Sequence, residues 1–135
     1  MEKKIHLVHE DHVTPTVLEN GTCARLVTNE REKSEYVSLH LSRLQPSTWS
    51  KEIMSQKADE AIYLISGEAE VVFDGQLHQW PVGGCLYIPV GQKYRFHAKT
   101  HLLMAVIKSP PMLRSDFAEA EDLVVLEPED ALQKH

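Results

Sequence analysis

The sequence predicts an all-β protein with a single domain, and two observations favour this fold class. Short apolar segments alternate with turn signals about every eight to twelve residues, a spacing typical of antiparallel sandwiches and barrels. Asp74-Gly75 lies between two such segments and is a two-residue hairpin signal of type I′. The chain of 135 residues is long enough to bury a core. We expect one domain over residues 1–135, with a barrel core over about residues 20–111 and an acidic tail over 112–135.

The predicted strands are short runs rich in Val, Ile, Leu and aromatic residues, bounded by Gly, Pro, Asp or Ser. In chain order they cover residues 22–28, 36–44, 60–66, 68–73, 76–80, 85–88, 93–98 and 101–107. A further short strand is expected after the turn at residues 45–49. Beyond Pro110-Pro111, which ends the last core strand, we expect one helical turn near residues 115–123 and a terminal strand over 123–126.

Charge is distributed unevenly along the chain. Residues 1–114 contain 13 Lys and Arg and 13 Asp and Glu, whereas residues 115–135 contain seven acidic residues and one lysine. No basic stripe could neutralise nucleic-acid phosphates, so we expect no nucleic-acid partner. The acidic tail is most simply a solvated edge, and its alternative role is a contact with a basic partner.

The remaining composition indicates a protein outside the membrane and in a reducing compartment. No run approaches the roughly 18 apolar residues of a membrane helix, and the first residues do not resemble a secretory signal. Cys23 and Cys85 form no CxxC pair, and we interpret both as free, buried thiols. We therefore expect a cytoplasmic location and no membrane partner.

The turn residues follow a recognisable order. Six residues separate Glu60 from Gly67, five separate Gly83 from Pro89-Val90-Gly91, and two separate Gly91 from Tyr94. This spacing resembles the two motifs of the cupin superfamily, whose members form a small jelly-roll β-barrel. In these motifs the glycines allow the tight turns, and the proline fixes φ at a strand end. The resemblance implies a cupin barrel over this chain.

The metal ligands of that pattern are mostly replaced. A paired His-x-His would fall at Ile53 and Ser55, or one residue later, and the second-motif histidine is Tyr94. A three-His-one-Glu site therefore cannot be built from these positions. Ser55 remains a candidate ligand-binding residue because of its place in the motif.

A closer resemblance, over roughly residues 36–111, is to the ectoine synthase-like cupins, which also lack the His-x-His. It is carried by "EAIYLISGEAE", by Leu86-Tyr87, and by "HAKTHLLMAVIKSPP". In that family a Glu, a Tyr and a His bind iron, which implies Glu60, Tyr87 and Tyr94 here, the third being Tyr in place of His. Such an all-oxygen set suits a hard ion such as Fe(III).

The same residues also allow a reaction without a metal, so iron and no cofactor both remain open. A carboxylate in an apolar barrel can exchange a proton near neutrality, and a tyrosine hydroxyl can donate to a developing oxyanion. Glu60, Tyr94 and Tyr87 are then the catalytic candidates, for an isomerisation, an epimerisation or a loss of water beside a carbonyl. The plainer interpretation is that the tyrosines only fill the barrel and Glu60 is a surface acid at a strand end.

Other candidates would bind the ligand. His40 alternates with Leu39 and faces either a pocket or solvent. Trp49 flanks a turn, where it could line a pocket mouth, cap the core or lie in a subunit interface. Arg95 could hold a substrate carboxylate, although a solvated charge is its default role.

Together these features favour a small-molecule cupin enzyme, a lyase (dehydratase) or an isomerase acting on a polar metabolite. One alternative is a non-catalytic cupin that binds a small ligand as a sensor. Another is iron-dependent cyclisation of the ectoine synthase type. Small cupins pair through sheet edges, so the resemblance also implies a homodimer.

Overall fold

The computed structural model describes residues 3–119 and 123–125, with side chains from residue 3 to 116. The described elements, in chain order, are a 3-10 helix (Glu10–His12), β1 (Thr16–Leu18), β2 (Gly21–Val27), α1 (Asn29–Glu32), β3 (Ser38–Leu44), β4 (Ile53–Ser55), β5 (Asp59–Ser66), β6 (Ala69–Phe73), β7 (Gln76–Trp80), β8 (Cys85–Ile88), β9 (Lys93–Ala98), β10 (Leu102–Ser109), α2 (Arg114–Glu119) and β11 (Leu123–Val125). The prediction of an all-β chain is confirmed.

The strands form two antiparallel sheets. The six-stranded sheet has the order β1-β2-β3-β10-β5-β8, and the five-stranded sheet has the order β11-β4-β9-β6-β7. Strands distant in sequence therefore pair at the centre of each sheet, as β3 does with β10 and β6 with β9. The apolar core lies between the two sheets, which is the arrangement of a jelly roll.

Local turn chemistry explains the hairpin between β6 and β7. Asp74 and Gly75 have φ angles of 52° and 72°, as a type I′ turn requires at both central residues. These two residues connect five consecutive antiparallel pairs, from Phe73 with Gln76 to Ala69 with Trp80. The hairpin prediction is confirmed.

The core consists of buried side chains from both sheets. Its members are Leu44, Ile62, Leu64, Ala69, Val71, Trp80, Ile88, Tyr94, Ala98, Leu102, Met104 and Val106. Trp80 is 4% exposed, and its indole Nε1 donates a hydrogen bond to the carbonyl of Gly84 at 3.0 Å. Trp80 is therefore a residue of the core.

The inner face of β3 is polar. Ser38, His40 and Ser42 are buried, while Leu39 and Leu41 on the opposite face are half-buried. This orientation differs from the usual apolar-inward alternation, and it follows from the pairing of β3 with β10. His40 is paired with Val106, a core residue, and paired residues lie on the same face of a sheet.

Several features differ from the sequence-based prediction or extend it. The strand β1 and the helix α1 were not predicted; Thr28 caps α1, since its Oγ1 accepts a hydrogen bond from the Arg31 amide at 2.9 Å. Cys23 is buried as expected, but Cys85 is exposed because it lies on the outer face of β8; both thiols are free.

The first part of the predicted tail, residues 112–135, contains one helix and one strand among the described residues. The helix α2 and the strand β11 correspond to the predicted helical turn and terminal strand, and β11 pairs antiparallel with β4. The predicted strand residue Leu126 and the acidic residues of the tail beyond Glu119 lie outside the described residues. Within the described part of the chain, no helix is long and apolar enough to cross a bilayer.

Candidate functional site

One end of the barrel interior is polar, and the six-stranded sheet builds it from distant parts of the sequence. At the end of β10, Lys108 pairs with Ser38 of β3 on one side and with Glu60 of β5 on the other. Residues paired across neighbouring strands share a face, so these three side chains form one inward row. All three are buried, with exposures of 2% for Lys108, 3% for Ser38 and 4% for Glu60.

The five-stranded sheet contributes Tyr94 and Ser55 to the same end. The loop of residues 56–58 connects Ser55, at the end of β4, to the start of β5, where Glu60 lies. The loop of residues 89–92 connects β8 to the start of β9, where Tyr94 lies. The last residue of β8, Ile88, is the strand partner of Glu60. Since both connections lie at one end of the barrel, Tyr94 and Ser55 face the row that contains Glu60. Tyr94 is 6% exposed and Ser55 is 0% exposed.

Glu60 and Lys108 form an ion pair inside the protein. Lys108 Nζ lies 3.5 Å from Glu60 Oε2. Burial disfavours the charged carboxylate, whereas the neighbouring ammonium favours it, so the two effects on Glu60 oppose each other. The pair makes an ionised Glu60 tolerable in the interior, which is the state that a general base needs.

His40 lies one inward position along β3 from Ser38 and pairs with Arg25 of β2. Burial first, and then the positive charges of Lys108 and Arg25, lower the pKa of His40 to about 3. The imidazole is therefore neutral at physiological pH. Of the two positions expected for His40, pocket or solvent, the structure shows the interior one.

A cavity opens beside Tyr94, between the edge strand β8 of one sheet and strands β6 and β9 of the other. It has a volume of about 380 Å³, within the range of small-molecule sites. Its lining includes the aromatic rings of Phe73 and Tyr94, the aliphatic side chains of Leu86 and Ile88, and the polar Gln92. Glu60 is not part of this lining, but its strand partner Ile88 is.

The structure does not bring Tyr87 into the interior with Glu60. Tyr87 pairs with Ala61, on the outer face of the six-stranded sheet, and is 66% exposed. Its hydroxyl donates a hydrogen bond to Asp59 Oδ2 at 3.3 Å, and the negative charge of Asp59 raises the pKa of Tyr87. Because side chains alternate along a strand, Tyr87 lies on the face opposite its neighbour Ile88 in the core.

Trp49 and Arg95 lie together, but outside the barrel. Arg95 alternates with the buried Tyr94 on β9, so it lies on the outer face of that strand. The guanidinium carbon of Arg95 is 5.7 Å from the Trp49 ring centroid, a cation–π distance, and the His97 ring centroid is 5.4 Å from that of Trp49. Trp49 thus packs on the outer face of the five-stranded sheet, and Arg95 does not point toward Glu60.

The residues implied for iron do not fit a metal centre in this arrangement. Glu60 and Tyr94 share the interior, but Tyr87 is on the outer face of the barrel. The Lys108 ammonium, 3.5 Å from the carboxylate, would repel a metal cation bound to Glu60. Among the described residues, no group of three or more His, Cys, Asp or Glu side chains could hold a metal ion.

Sequence reasoning missed Lys108, although a signal for it was present. Leu102, Met104, Val106 and Lys108 alternate along β10, so the lysine is in phase with three core residues. It was overlooked because lysine is almost never fully buried without a partner. The partner, Glu60, lies on a strand 48 residues earlier in the chain.

Comparison with solved structures identifies the fold. Ectoine synthase from P. lautus aligns with a TM-score of 0.76 and 18% identity, over 91% of this chain and 91% of that chain. KdgF from Halomonas sp. aligns with a TM-score of 0.70 and 12% identity, over 81% and 96%. The polyketide cyclase RemF from Streptomyces resistomycificus aligns with a TM-score of 0.67 and 17% identity, over 80% and 83%.

The chain is therefore an all-β protein with the cupin jelly-roll fold. Within that class its structure is close to that of ectoine synthase, as the sequence resemblance implied. No protein-family model matches the chain, and no curated protein matches its sequence.

Proposed function

We propose that the chain is a small-molecule cupin enzyme that moves a proton beside a carbonyl group, as a lyase (dehydratase) or an isomerase. Glu60 acts as the general base, and the hydroxyl of Tyr94 donates a hydrogen bond to the oxygen on which negative charge develops. The substrate is a small polar metabolite. The homodimer and the cytoplasmic location inferred from the sequence stay predictions.

The observation that carries this proposal is the placement of Glu60 and Tyr94. Both are buried at the same end of the interior, on facing sheets, at 4% and 6% exposure. A carboxylate in such a place costs free energy unless it is paired, and the pairing with Lys108 allows it to remain ionised as a base. The cavity of about 380 Å³ lined by Tyr94 is large enough for a metabolite.

The solved structures support the coarser part of the proposal. Their names are those of enzymes: an ectoine synthase, a polyketide cyclase and a predicted oxalate decarboxylase from Thermotoga maritima. At 16–18% identity these likenesses concern the fold, so the reaction is argued from Glu60 and Tyr94. Cyclisation through iron receives no support from the residues described above.

The test begins with a thermal-shift screen of metabolites, followed by assays of each stabilising compound for turnover. We expect Glu60→Gln to abolish turnover of a confirmed substrate, and Glu68→Gln, at an exposed position in the turn that follows the same strand, to leave it unchanged. Since Glu60→Gln also leaves Lys108 without its carboxylate partner, Tyr94→Phe serves as a second variant. Wild-type rates in both folded variants would refute the assignment.

A second candidate is a non-catalytic cupin that binds a small ligand. The observation that favours it is the replacement of the superfamily's metal ligands, together with the outward position of Tyr87. Its expected outcome in the same screen is a compound that stabilises the protein and is recovered chemically unchanged after prolonged incubation.

A further inference from the structure

The outer face of the six-stranded sheet is apolar at its centre. Outward positions alternate with buried ones along β3, β5 and β10. Strand pairing makes the apolar outward residues contiguous, since Ala105 lies between Leu41 and Tyr63, and Ile107 lies between Leu39 and Ala61. Together they form the outer apolar face, which consists of Leu39, Leu41, Ala61, Tyr63, Ile65, Leu103, Ala105 and Ile107.

The described part of the chain leaves this face open to solvent. Tyr63, Ile65 and Ile107 are 46%, 38% and 42% exposed. The strands β5 and β10 are thus apolar on both faces, a pattern typical of strands that are buried on both sides. A contiguous apolar patch on a protein surface marks an interaction site.

The outer face of the five-stranded sheet is built differently. Its central row consists of Gln79, Glu70 and His97, which are paired across β7, β6 and β9. Glu70 Oε1 lies 3.0 Å from His97 Nδ1, and Glu70 Oε2 accepts a hydrogen bond from the Gln79 amide at 3.1 Å. This is the polar outer face expected of a sheet in contact with water. The apolar outer surface is therefore a property of one sheet and not of the barrel as a whole.

The outward charged residues of β3, β5 and β10 lie at opposite ends of the outer apolar face. Asp59 pairs with the last residue of β10, and Arg43 pairs with the second. Both already have partners, since Arg43 binds Glu10 at 2.7 Å and Asp59 Oδ1 accepts a hydrogen bond from the Val90 amide at 2.9 Å. Covering the centre of the face therefore requires no desolvation of a charge, which would be the costly step.

The size of the surface matches the lower range of stable protein interfaces. Five neighbouring strands, β2, β3, β10, β5 and β8, spaced about 4.8 Å apart and up to eight residues long, give a surface of roughly 500–600 Å². Stable specific interfaces begin at about 600 Å² on each partner. The flanking strands β2 and β8 would form the rim, where side chains such as Cys85 stay accessible to solvent.

We propose that a second copy of this chain packs on the outer apolar face, sheet against sheet, in a two-fold dimer. A two-fold interface uses the same patch on both copies, so a face that is uncharged at its centre fits itself. When the strands of the two copies run in opposite directions, the Arg43 end of one lies over the Asp59 end of the other, and like charges do not meet. This interface differs from the pairing through sheet edges that the sequence resemblance implies.

The tail of the same chain fits this face less well than a second copy does. The last described residue, Val125, belongs to β11, which is an edge strand of the other sheet. Six of the ten residues in 126–135 are polar or charged, and such residues gain little from burial against an apolar surface.

The test is sedimentation velocity of the full chain over a range of concentrations, for wild type and for Ala105→Glu and Ile107→Glu. Each variant places a carboxylate at the centre of the proposed interface, so the dissociation constant of the dimer should rise at least about tenfold. Val72→Glu is the matched control, because Val72 lies at an outward position of the other sheet, between Leu77 and Arg95, and this variant should dimerise as wild type does. Circular dichroism checks that each variant is folded.

Two outcomes overturn the inference. Wild type may sediment as a monomer at every concentration, in which case its binding to phosphatidylcholine vesicles would assign the face to a lipid surface. Alternatively, the dimer persists unchanged in the folded Ala105→Glu and Ile107→Glu variants, which would place the interface elsewhere, such as at the sheet edges. Should these variants fail to fold, Tyr63→Ser removes exposed apolar area without adding a charge, and it should also weaken the dimer. None of these outcomes depends on the proposed reaction.

Discussion

The hydroxyl of Tyr87 donates a hydrogen bond to Oδ2 of Asp59 at 3.3 Å, and Asp59 Oδ1 accepts another from the Val90 amide at 2.9 Å. Asp59 and Glu60 are consecutive, so their side chains point to opposite faces of β5. Asp59 holds Tyr87 and the start of the β8–β9 loop on the outside of the barrel, whereas the Glu60 side chain is buried inside it.

This arrangement predicts different effects for two tyrosine substitutions. Tyr94→Phe removes an interior hydroxyl and should lower kcat by about 100-fold or more, the range for loss of an oxyanion donor. Tyr87→Phe removes a hydroxyl outside the barrel, from a side chain at the edge of the cavity, and should lower kcat less than Tyr94→Phe does, because that hydroxyl bonds Asp59 on the outer face. Steady-state kinetics of the two variants on the metabolite found in the screen is the measurement. Equal losses in both would argue against the site described here.

The buried ion pair predicts a large, non-additive effect on stability. Lys108→Met should lower the free energy of unfolding by about 3–5 kcal/mol, because it leaves the Glu60 carboxylate buried without that cation. Glu60→Gln/Lys108→Met should recover a large part of the loss, since neither charge remains. Urea denaturation of the two variants and wild type gives these values.

An exposed ion pair provides the control for that prediction. Lys3 and Glu35 are 3.0 Å apart, with side chains 58% and 52% exposed. Lys3→Met should change the free energy of unfolding by less than about 1 kcal/mol. If Lys108→Met were as mild as Lys3→Met, the Glu60–Lys108 pair would not be buried as described.

The lowered pKa of the buried His40 imidazole should make the free energy of unfolding depend on pH. Its pKa is lowered from 6.5 to about 3 in the folded protein, so below pH 6.5 the unfolded chain binds a proton that the folded chain does not. Stability is therefore lost as pH falls from 6.5 toward about 3, by about 1.4 kcal/mol per pH unit, or about 2 kcal/mol at pH 5.

The variant His40→Gln should lack this contribution, so its free energy of unfolding should fall less than that of wild type between pH 7 and pH 5. His101→Gln removes an exposed histidine and should retain the wild-type dependence. Urea denaturation at the two pH values makes the comparison. Parallel losses in wild type and His40→Gln would show that His40 is not buried in its neutral form.

The cysteines should differ in reactivity. Burial raises the pKa of the Cys23 thiol to about 12 and excludes reagents, whereas Cys85 is exposed. The thiolate is the reactive form, so iodoacetamide should modify native protein at Cys85 and reach Cys23 only after unfolding in urea. Peptide mass spectrometry reads out both sites. Rapid modification of native Cys85→Ser would contradict the packing around β2.

Much of the fold follows from local sequence. The predicted strands between residues 22 and 107 correspond to β2, β3 and β5 to β10, and their first and last residues agree within two positions. This agreement is possible because period-two patterns bounded by Gly, Pro and Asp are local signals. The Asp74-Gly75 hairpin and the interior position of Glu60, in phase with Ile62 and Leu64, follow in the same way.

The composition of the candidate site could be predicted only in part. Sequence patterns indicated Glu60 and Tyr94, and the structure buries both. They also indicated Tyr87, Trp49 and Arg95, which the structure places outside the barrel, because a residue's type does not determine which of two strand faces it occupies.

By itself the sequence determined an all-β barrel with its turns and strand bounds, since those depend on neighbours a few residues apart. Only the tertiary structure decided that the polar face of β3 turns inward and that Lys108 lies beside Glu60. Those outcomes depend on which strands pair and in what register. Pairing joins residues far apart in the chain, and it is settled by the free energy of the whole core rather than by any local pattern.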